Sequence, residues 1–427
     1  MRFFERPHSG ERAVLVHPGA VQSREDLEEA KALAQAASVK VVAVLTCGRK
    51  RPDPRWFIGR GKVEELKSVV EQSGAELILF NHPLSPSQER NLERDVNVRV
   101  VDRIGLILDI FAQRARTHEG KLQVELAQLK HLETRLVRGW THLERQRGGI
   151  GLRGPGETQL EMDRRLIRRR IRQIERQLKE VAGRWERGRQ ARKKRELPTV
   201  ALVGYTNAGK STLFNALTGE QVYAADQLFA TLDSTLRRLE LGGRVAILAD
   251  TVGFIRHLPH ELIAAFRATL QEACEAEIVL HVIDAASPRR HENIEAVYEV
   301  LGELGIDRER IIEVYNKIDL LNRGPKIDRD RRGRPDRVWL SAAKGEGLDL
   351  LREAISERLE PRPIRRWVRL RPSQGGLRAK LFRHGTVLHE QVGSEGEWLL
   401  EVELSSNHVS LLKEAEEVRE IPSSPSA

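Results

Sequence analysis

The stretch Gly204-Tyr-Thr-Asn-Ala-Gly-Lys-Ser-Thr212 decides the fold of the middle of this 427-residue chain. It matches the pattern G-x-x-x-x-G-K-[ST] and lies between an apolar strand, TVALVG, and a helical run, STLFNALTG. Glycines in such a loop let the backbone wrap an anion, and the helix N-terminus adds partial positive charge. The pattern predicts a phosphate-binding loop in which Lys210 contacts the β- and γ-phosphates and the Ser211 hydroxyl binds magnesium.

Three further motifs follow at the ends of predicted strands. Asp250-Thr-Val-Gly253 comes after VAILA, so that Asp250 can hold magnesium through water while the Gly253 N–H senses a γ-phosphate. In Asn316-Lys-Ile-Asp319, a buried Asp319 carboxylate would accept both N–H donors of guanine, which adenine lacks. Ser341-Ala-Ala343 would bring its backbone to guanine O6. This order and spacing, with 41 residues from Gly209 to Asp250 and 66 to Asn316, predict a GTP site.

One magnesium ligand is chosen between two candidates. The segment QLFATLDST offers Thr231 and Thr235, and we select Thr231. Catalysis is assigned to Lys210, Thr231 and Gly253, and magnesium to Ser211, Thr231 and Asp250. The full set of predicted GTP/GDP contacts is Gly204, Tyr205, Thr206, Asn207, Ala208, Gly209, Lys210, Ser211, Thr212, Phe229, Ala230, Thr231, Leu232, Asp233, Asp250, Thr251, Val252, Gly253, Asn316, Lys317, Ile318, Asp319, Ser341, Ala342 and Ala343.

Hydrophobic patterning outside the loop predicts an α/β protein of four segments. Residues 1–112 alternate β-rich and helical runs, including a helix that begins near Ser85, which favours a parallel α/β subdomain. Residues 113–196 carry leucines and isoleucines at spacings of three and four, typical of two long antiparallel helices. Residues 197–360 form the P-loop domain, with a mostly parallel sheet. Residues 361–427 form a small α+β module, led by a linker at PRPIRRWVRLRP and containing a helix near Ser405 or Ser406.

The basic charge is concentrated in the helical hairpin. The net charge is +10, and residues 145–195 hold 18 Lys/Arg against 6 Asp/Glu, so the remainder of the chain carries −2. Such an excess can be a solvated helix face, but more often marks a nucleic-acid footprint. Five glycines and a proline separate the two helices, which predicts a tip that approaches phosphates. The predicted RNA contacts are Arg145, Arg147, Gly148, Gly149, Gly151, Arg153, Gly154 and Gly156.

Several classes of protein are not supported by the sequence. Cys47 and Cys274 lie far apart and outside any metal-binding pattern, which favours free thiols in a reducing cytoplasm. No run of 18 apolar residues and no signal-peptide pattern is seen, so a cytoplasmic protein without a membrane span is expected. The loop between Cys47 and Gly61 reads as exposed and basic. We expect a monomer.

The chain resembles the HflX family, within the Obg–HflX group of translation-factor-like GTPases. The nucleotide motifs GYTNAGKST, FATLD, DTVGFI, NKID and SAAKGEGL are joined by FIGRGKVEEL (Phe57–Leu66) and by GGIGLRGPGETQLE (Gly148–Glu161), the motif specific to this family. The resemblance covers nearly the whole chain. It implies binding to the large (50S) ribosomal subunit and its RNA through the hairpin tip, a GTPase stimulated by that subunit, and a role in ribosome splitting or rescue under stress.

Two positions set expectations for hydrolysis. Position 254 is Phe where Ras-like enzymes place a water-positioning Gln, so intrinsic turnover should be slow, with ribosome docking completing the site. Asn207 occupies the place at which certain GTPases bind K⁺, although it can equally brace the loop.

Two other functions compete with a GTP-switched ribosome factor. The first is an RNA-modifying or helicase-like RNA-remodelling enzyme with an auxiliary GTPase, but FIGRGK lacks the spacing of a second nucleotide loop. The second is a scaffold with a vestigial GTPase. Intact Lys210, Ser211, Asp250 and Asp319 argue against the scaffold.

Overall fold

The computed structural model of the protein describes residues 10–19, 24–48, 52–139, 155–194, 197–219, 229, 235–242, 244–256, 267–359, 364–393, 396–404, 411–412 and 415–418. The chain divides into two compact units, residues 1–354 and 355–427.

The first sheet is built from four parallel strands in the order β2-β1-β3-β4, as the alternating pattern predicts. Apolar strands with helices on their faces bury both sides, which explains why β3 is buried throughout. The elements are β1 (Arg12–Pro18), α1 (Arg24–Ala36), β2 (Lys40–Cys47), α2 (Arg60–Ser73), β3 (Leu77–Phe80), α3 (Pro86–Val96) and β4 (Arg99–Asp102).

Local chemistry fixes the ends of α3. Ser85 accepts a hydrogen bond from the Gln88 N–H, and the Gln88 side chain bonds back to Ser85, which forms a capping box. Asn97 closes the helix in the left-handed conformation. The predicted start near Ser85 is therefore confirmed.

A helix that the sequence patterning did not reveal follows β4. It is α4 (Arg103–Arg114), capped by the Asp102 side chain. Its run IGLILDIF is apolar and almost entirely buried, and so short an apolar run can be read as a buried strand as well as a helix. This helix leads into the hairpin.

The hairpin consists of α5 (His118–Gly139) and α6 (Pro155–Lys194). Its seam is a cluster of buried aliphatic side chains: Leu122, Leu126, Leu129, Ile167, Ile171 and Ile174. Near the C-terminal end of α5, Arg135 pairs with the buried Asp102 at 2.9 Å and with Glu89, which ties α5 to the first sheet. Burial lowers the pKa of the Arg135 guanidinium to about 10. The predicted helices are confirmed.

The glycine-rich segment is partly helical, which corrects its reading as loop throughout. The helix α6 begins at Pro155, so Gly156 lies in its first turn. Proline is compatible with that position because its missing N–H has no partner in the first turn of a helix.

The P-loop segment forms a second sheet, ordered β10-β11-β9-β8-β5-β7-β6. Its five central strands are parallel, and the edge strands β6 and β10 are antiparallel. The elements are β5 (Thr199–Gly204), α7 (Lys210–Thr218), β6 (Thr235–Leu241), β7 (Arg244–Asp250), α8 (Arg267–Glu275), β8 (Ile278–Asp284), α9 (Arg290–Glu303), β9 (Ile311–Asn316), β10 (Lys326–Arg329), β11 (Pro335–Trp339) and α10 (Leu348–Leu359). The predicted mostly parallel sheet is confirmed.

The C-terminal unit is an antiparallel sheet, ordered β13-β14-β12-β15, with one helix packed on it. Its elements are β12 (Ile364–Leu370), α11 (Gly375–His384), β13 (Gly385–Val392), β14 (Trp398–Leu404) and β15 (Glu416–Val418). The reading of PRPIRRWVRLRP as a linker is wrong, because β12 pairs with both β14 and β15. The predicted helix near Ser405 lies outside the described residues. Within the described part of the chain, no helix is long and apolar enough to cross a membrane.

We predict that Ile174→Ala loosens the hairpin. Ile174 is fully buried in the seam, and truncating such a side chain destabilises by about 2–5 kcal/mol. Amide hydrogen exchange in peptides from α5 and α6 should speed up accordingly. Leu166→Ala on the same helix, at a side chain that is 43% exposed, is the matched control and should change exchange little. Equal effects of the two substitutions would contradict the described seam.

Candidate functional site

The phosphate-binding loop has a backbone that only glycine fits at two points. Gly204 has φ 147° and Gly209 has φ 92°. A Cβ at Gly204 would overlap the Val282 carbonyl oxygen, and one at Gly209 would overlap the Asn316 side chain. Strand β5 is buried along its whole length and α7 starts at Lys210, so the loop is held at a strand-to-helix junction. The helix N-terminus therefore faces the place where an anion would bind.

Lys210 lies in this loop with its ammonium turned towards the main chain. Its Nζ donates to the carbonyl oxygens of Gly204 at 3.0 Å and Tyr205 at 2.8 Å. Burial lowers the pKa of the Lys210 ammonium to about 8, while Asp250 opposes that shift. A bound phosphate would replace the two carbonyl oxygens as the partner of this cation.

Ser211 and Asp250 are brought together as the motifs predict. The Ser211 hydroxyl donates to Asp250 Oδ2 at 3.1 Å, and Asp250 is fully buried at the end of β7. Hard oxygen donors at this separation suit a magnesium ion that keeps several of its waters. The donor set therefore fits the expected metal.

Asn316 links three loops of the site. Its amide donates to the Ala208 carbonyl at 2.9 Å, and its side-chain oxygen accepts from the Ala342 N–H at 2.9 Å. The residue is 2% exposed, so both bonds are sheltered from water. Asn316 thus fixes the distance between the phosphate loop and the Ser341–Ala343 loop.

Asp319 has a carboxylate oxygen suited to a ligand. Among the described residues, its Oδ1 is buried and has no hydrogen-bond partner. A buried carboxylate oxygen without a donor is unfavourable until a ligand supplies one, and guanine carries two N–H donors for such a group. Lys317 beside it is held by Asp284 at 2.7 Å.

The segment after β7 lies directly on the phosphate loop. The Phe254 N–H donates to the Gly204 carbonyl at 3.0 Å, and the Thr206 N–H donates to the Phe254 carbonyl at 2.8 Å. The Phe254 ring is 2% exposed in the core, so it does not face a water. The Thr251 hydroxyl bonds the Leu202 carbonyl and therefore faces the sheet.

Family models match most of the chain in three consecutive regions. Residues 24–112 match "GTP-binding GTPase N-terminal", residues 114–192 match "GTP-binding GTPase Middle Region", and residues 199–317 match "50S ribosome-binding GTPase". The protein "GTPase HflX" of Escherichia coli (strain K12) is 56% identical over 405 residues, which cover 94% of this chain and 95% of that one. The chain belongs to the HflX family.

A second HflX relative agrees with this membership. "GTPase HflX" of Magnetococcus marinus is 48% identical over 372 residues and covers 86% of each chain. A crystal structure of a GTP-binding protein from Sulfolobus solfataricus in complex with GDP is 27% identical, with a TM-score of 0.44, and covers 82% of this chain and 98% of that one. As an HflX protein, the chain binds guanine nucleotides and is a GTPase.

Some predicted site residues lie elsewhere or outside the described residues. The Phe229 ring packs against Phe111, with centroids 4.6 Å apart, so it contacts the core. Thr235, the alternative magnesium ligand, begins β6 and pairs with Asp250. The predicted contacts outside the described residues are Ala230, Thr231, Leu232 and Asp233 for the nucleotide, and Arg145, Arg147, Gly148, Gly149, Gly151, Arg153 and Gly154 for RNA.

The structure also adds residues that motif reading missed. Glu29 of α1 accepts a hydrogen bond from the Tyr205 hydroxyl of the phosphate loop. Arg103 of α4 donates to the Arg256 carbonyl at 3.2 Å. Glu29 and Arg103 sit in ordinary helical patterns, and only the tertiary fold brings them to the site.

We expect Asp319→Asn to weaken GDP binding by about 100-fold or more. The carboxylate accepts from both N–H donors of guanine, whereas the asparagine NH₂ group is itself a donor and would face one of them. Xanthosine diphosphate should gain affinity, since its carbonyl replaces the guanine amine and can accept from asparagine. Calorimetry with both nucleotides measures this. Asp336→Asn, in the same domain but outside the nucleotide motifs, is the control. Undiminished GDP affinity in Asp319→Asn would rule out the assignment.

Proposed function

We propose that this GTPase associates with the large ribosomal subunit in a nucleotide-dependent way, and that it acts in splitting or rescue of ribosomes under stress. The observation that carries the proposal is the cationic outer face of α6. Two further observations support it: residues 199–317 match a family described as 50S ribosome-binding GTPases, and the nucleotide site lies in the same unit of the chain.

The outer face of α6 has the charge of a nucleic-acid contact. Opposite the buried Ile167, Ile171 and Ile174, the helix exposes a row of arginines: Arg165, Arg169, Arg172 and Arg176. Arg168 pairs with Glu133 at 2.6 Å. Residues 145–195 nevertheless carry a surplus of 12 positive charges. Contacts of this kind bind phosphates regardless of sequence and weaken with salt.

The hairpin tip is the proposed end of this contact. Its arginines Arg145, Arg147 and Arg153 stand among glycines that permit close backbone approach to RNA. RNA recognition by shape and phosphate contacts suits such a tip.

Magnesium is proposed to be held by Ser211, by Asp250 through water, and by Thr231 when a γ-phosphate is present. When bound, the ion would neutralise charge on the β- and γ-phosphates. Lys210 and the amides of the phosphate loop would hold the same phosphates from the other side. Gly253 would report the γ-phosphate through its N–H.

Hydrolysis is proposed to depend on the ribosome. The buried Phe254 ring cannot orient water, so the group that does so has to come from loop rearrangement or from the partner. Docking would reorder the loops around Thr231 and Gly253. GTP and GDP states would then differ in their affinity for the subunit.

Co-sedimentation with purified large subunits tests the proposal. The chain should pellet with the subunit in a non-hydrolysable GTP analogue and be released in GDP, and its GTP turnover should rise with added subunits. Equal pelleting in both nucleotides would contradict the switch, and turnover that ignores ribosomes would contradict the stimulation.

A triple variant provides the matched comparison for the RNA contact. Replacing all three of Arg145, Arg147 and Arg153 by Gln should weaken pelleting. The slope of the logarithm of the binding constant against the logarithm of salt concentration should become shallower by up to about three. Nucleotide affinity should stay unchanged.

A K⁺ ion is proposed to act beside the phosphates. Asn207 is exposed on the phosphate loop with φ 59°, where its amide oxygen can reach an ion. Hydrolysis should then be faster in KCl than in NaCl of equal ionic strength. Asn207→Ala should remove the difference. Equal hydrolysis rates of the unaltered chain in KCl and NaCl would contradict a K⁺ site and leave Asn207 with a structural role in the loop.

The setting of this function is also proposed. We infer a cytoplasmic monomer whose working segments are residues 1–112, 113–196, 197–360 and 361–427. The alternative of an RNA-modifying or helicase-like enzyme is not favoured, because family membership accounts for the nucleotide motifs without a second activity.

A further inference from the structure

The geometry points to Glu29 and Arg103 as positioning residues for the GTPase: they hold the segment Gly253–Arg256 against the phosphate loop, and so favour GDP over GTP until they release it. This inference rests on the proposed nucleotide switch and names the contacts through which the N-terminal segment would take part in it.

The contacts form a closed ring of hydrogen bonds. Tyr205 donates its hydroxyl hydrogen to Glu29 Oε2, and Arg103 donates to Glu29 Oε1 at 2.5 Å. The same Arg103 donates to the Arg256 carbonyl at 3.2 Å, while the Arg256 N–H donates to the Tyr205 hydroxyl at 3.1 Å. The Arg256 carbonyl is therefore held by Arg103, and the Arg256 N–H is held by Tyr205. Glu29 contacts both of these side chains.

The ring is sheltered and anchored. The Arg103 side chain is 6% exposed and that of Glu29 is 17% exposed, so their ion pair is poorly screened. Arg103 also donates to Asn81 Oδ1 at 2.7 Å, at the end of β3. The ring is thus fixed to the first sheet, and through Tyr205 to the phosphate loop.

A second layer of charge supports the same arrangement. The Arg256 side chain pairs with Glu292 of α9 and lies 3.9 Å from Asp26 of α1. Arg289, beside α9, pairs with Glu25 and Asp26. The acidic start of α1 therefore faces Arg256 of the held segment and Arg289 before α9.

The held position places Gly253 close to the lysine that would contact a γ-phosphate. A Cβ placed on Gly253 would lie 2.9 Å from Lys210 Nζ and 3.2 Å from Thr206 Cα. A γ-phosphate bonded by both the Gly253 N–H and Lys210 would have to enter between these two groups, so we expect GTP to displace the segment. Such a movement strains the bonds to Phe254 and Arg256, and GDP does not require it.

The test is the ratio of dissociation constants for GDP and a non-hydrolysable GTP analogue, measured by calorimetry on the full chain without ribosomes. Arg103→Gln and Glu29→Gln should each shift the ratio towards the triphosphate by about fivefold to tenfold, the effect of losing one or two hydrogen bonds. Arg99→Gln is the matched control, since Arg99 forms a partly buried ion pair with Glu11 at 2.8 Å in the same segment. It should leave the ratio unchanged.

A double variant separates positioning from general loosening. Arg103 and Tyr205 act on one residue in one ring, so Arg103→Gln combined with Tyr205→Phe should shift the ratio no further than the larger single change. If Arg103→Gln does not fold, Arg103→Lys keeps the charge, loses the planar fork, and should shift the ratio in the same direction.

Several outcomes would overturn the inference: an unchanged ratio in folded Arg103 and Glu29 variants, an equal shift in Arg99→Gln, or effects that multiply in the double variant. Because ribosomes are absent, a failed ratio test leaves the co-sedimentation result intact. A chain that ignores ribosomes can still show the shift.

Discussion

The site depends on one constraint, a phosphate-binding backbone that wraps the start of α7. Gly204 and Gly209 adopt conformations that side chains disfavour, and each packs so closely on its neighbour that a Cβ would overlap it. The chain can hold this shape only because β5 is buried on all sides and Asn316 braces the loop from behind. Backbone amides are thereby oriented before any ligand arrives, which reduces the entropy lost on binding.

The same loop connects the nucleotide to the rest of the first unit. Its Tyr205 side chain leaves the phosphate side and meets α1, while its main chain pairs with Phe254. Phe254 and Phe229 join the buried cluster that contains α4 residues such as Phe111. The loops around a γ-phosphate therefore contact the N-terminal segment directly, so a movement of these loops would change those contacts. That arrangement suits the proposal that the hairpin contacts RNA in response to the nucleotide.

The sequence predicted the features that local chemistry sets. The glycine spacing around Lys210 and the carboxylate of Asp250 at the end of β7 have to occur at fixed positions, so they could be read directly from the sequence. The capped start of α3 was equally legible. In contrast, the short apolar run of α4 can be read as a strand as well as a helix, and the basic strand β12 resembles a linker in composition. Both are set by tertiary burial.

Contacts between distant segments were beyond sequence reasoning for a physical reason. Glu29 and Tyr205 are separated by 176 positions, and neither residue type indicates by itself which side chain it will contact. The bracing role of Asn316 was also hidden, because its motif predicts base recognition while its side chain bonds Ala208 and Ala342. Roles of this kind appear only once the loops are placed.

The phosphate loop and Asp319 are expected to select a guanine nucleotide. Competition against bound fluorescent GDP tests this selectivity most directly, because only ligands of the same site displace the probe. GTP should displace the probe, whereas ATP should need a concentration higher by about 100-fold or more. Displacement by ATP and GTP at equal concentrations would contradict it.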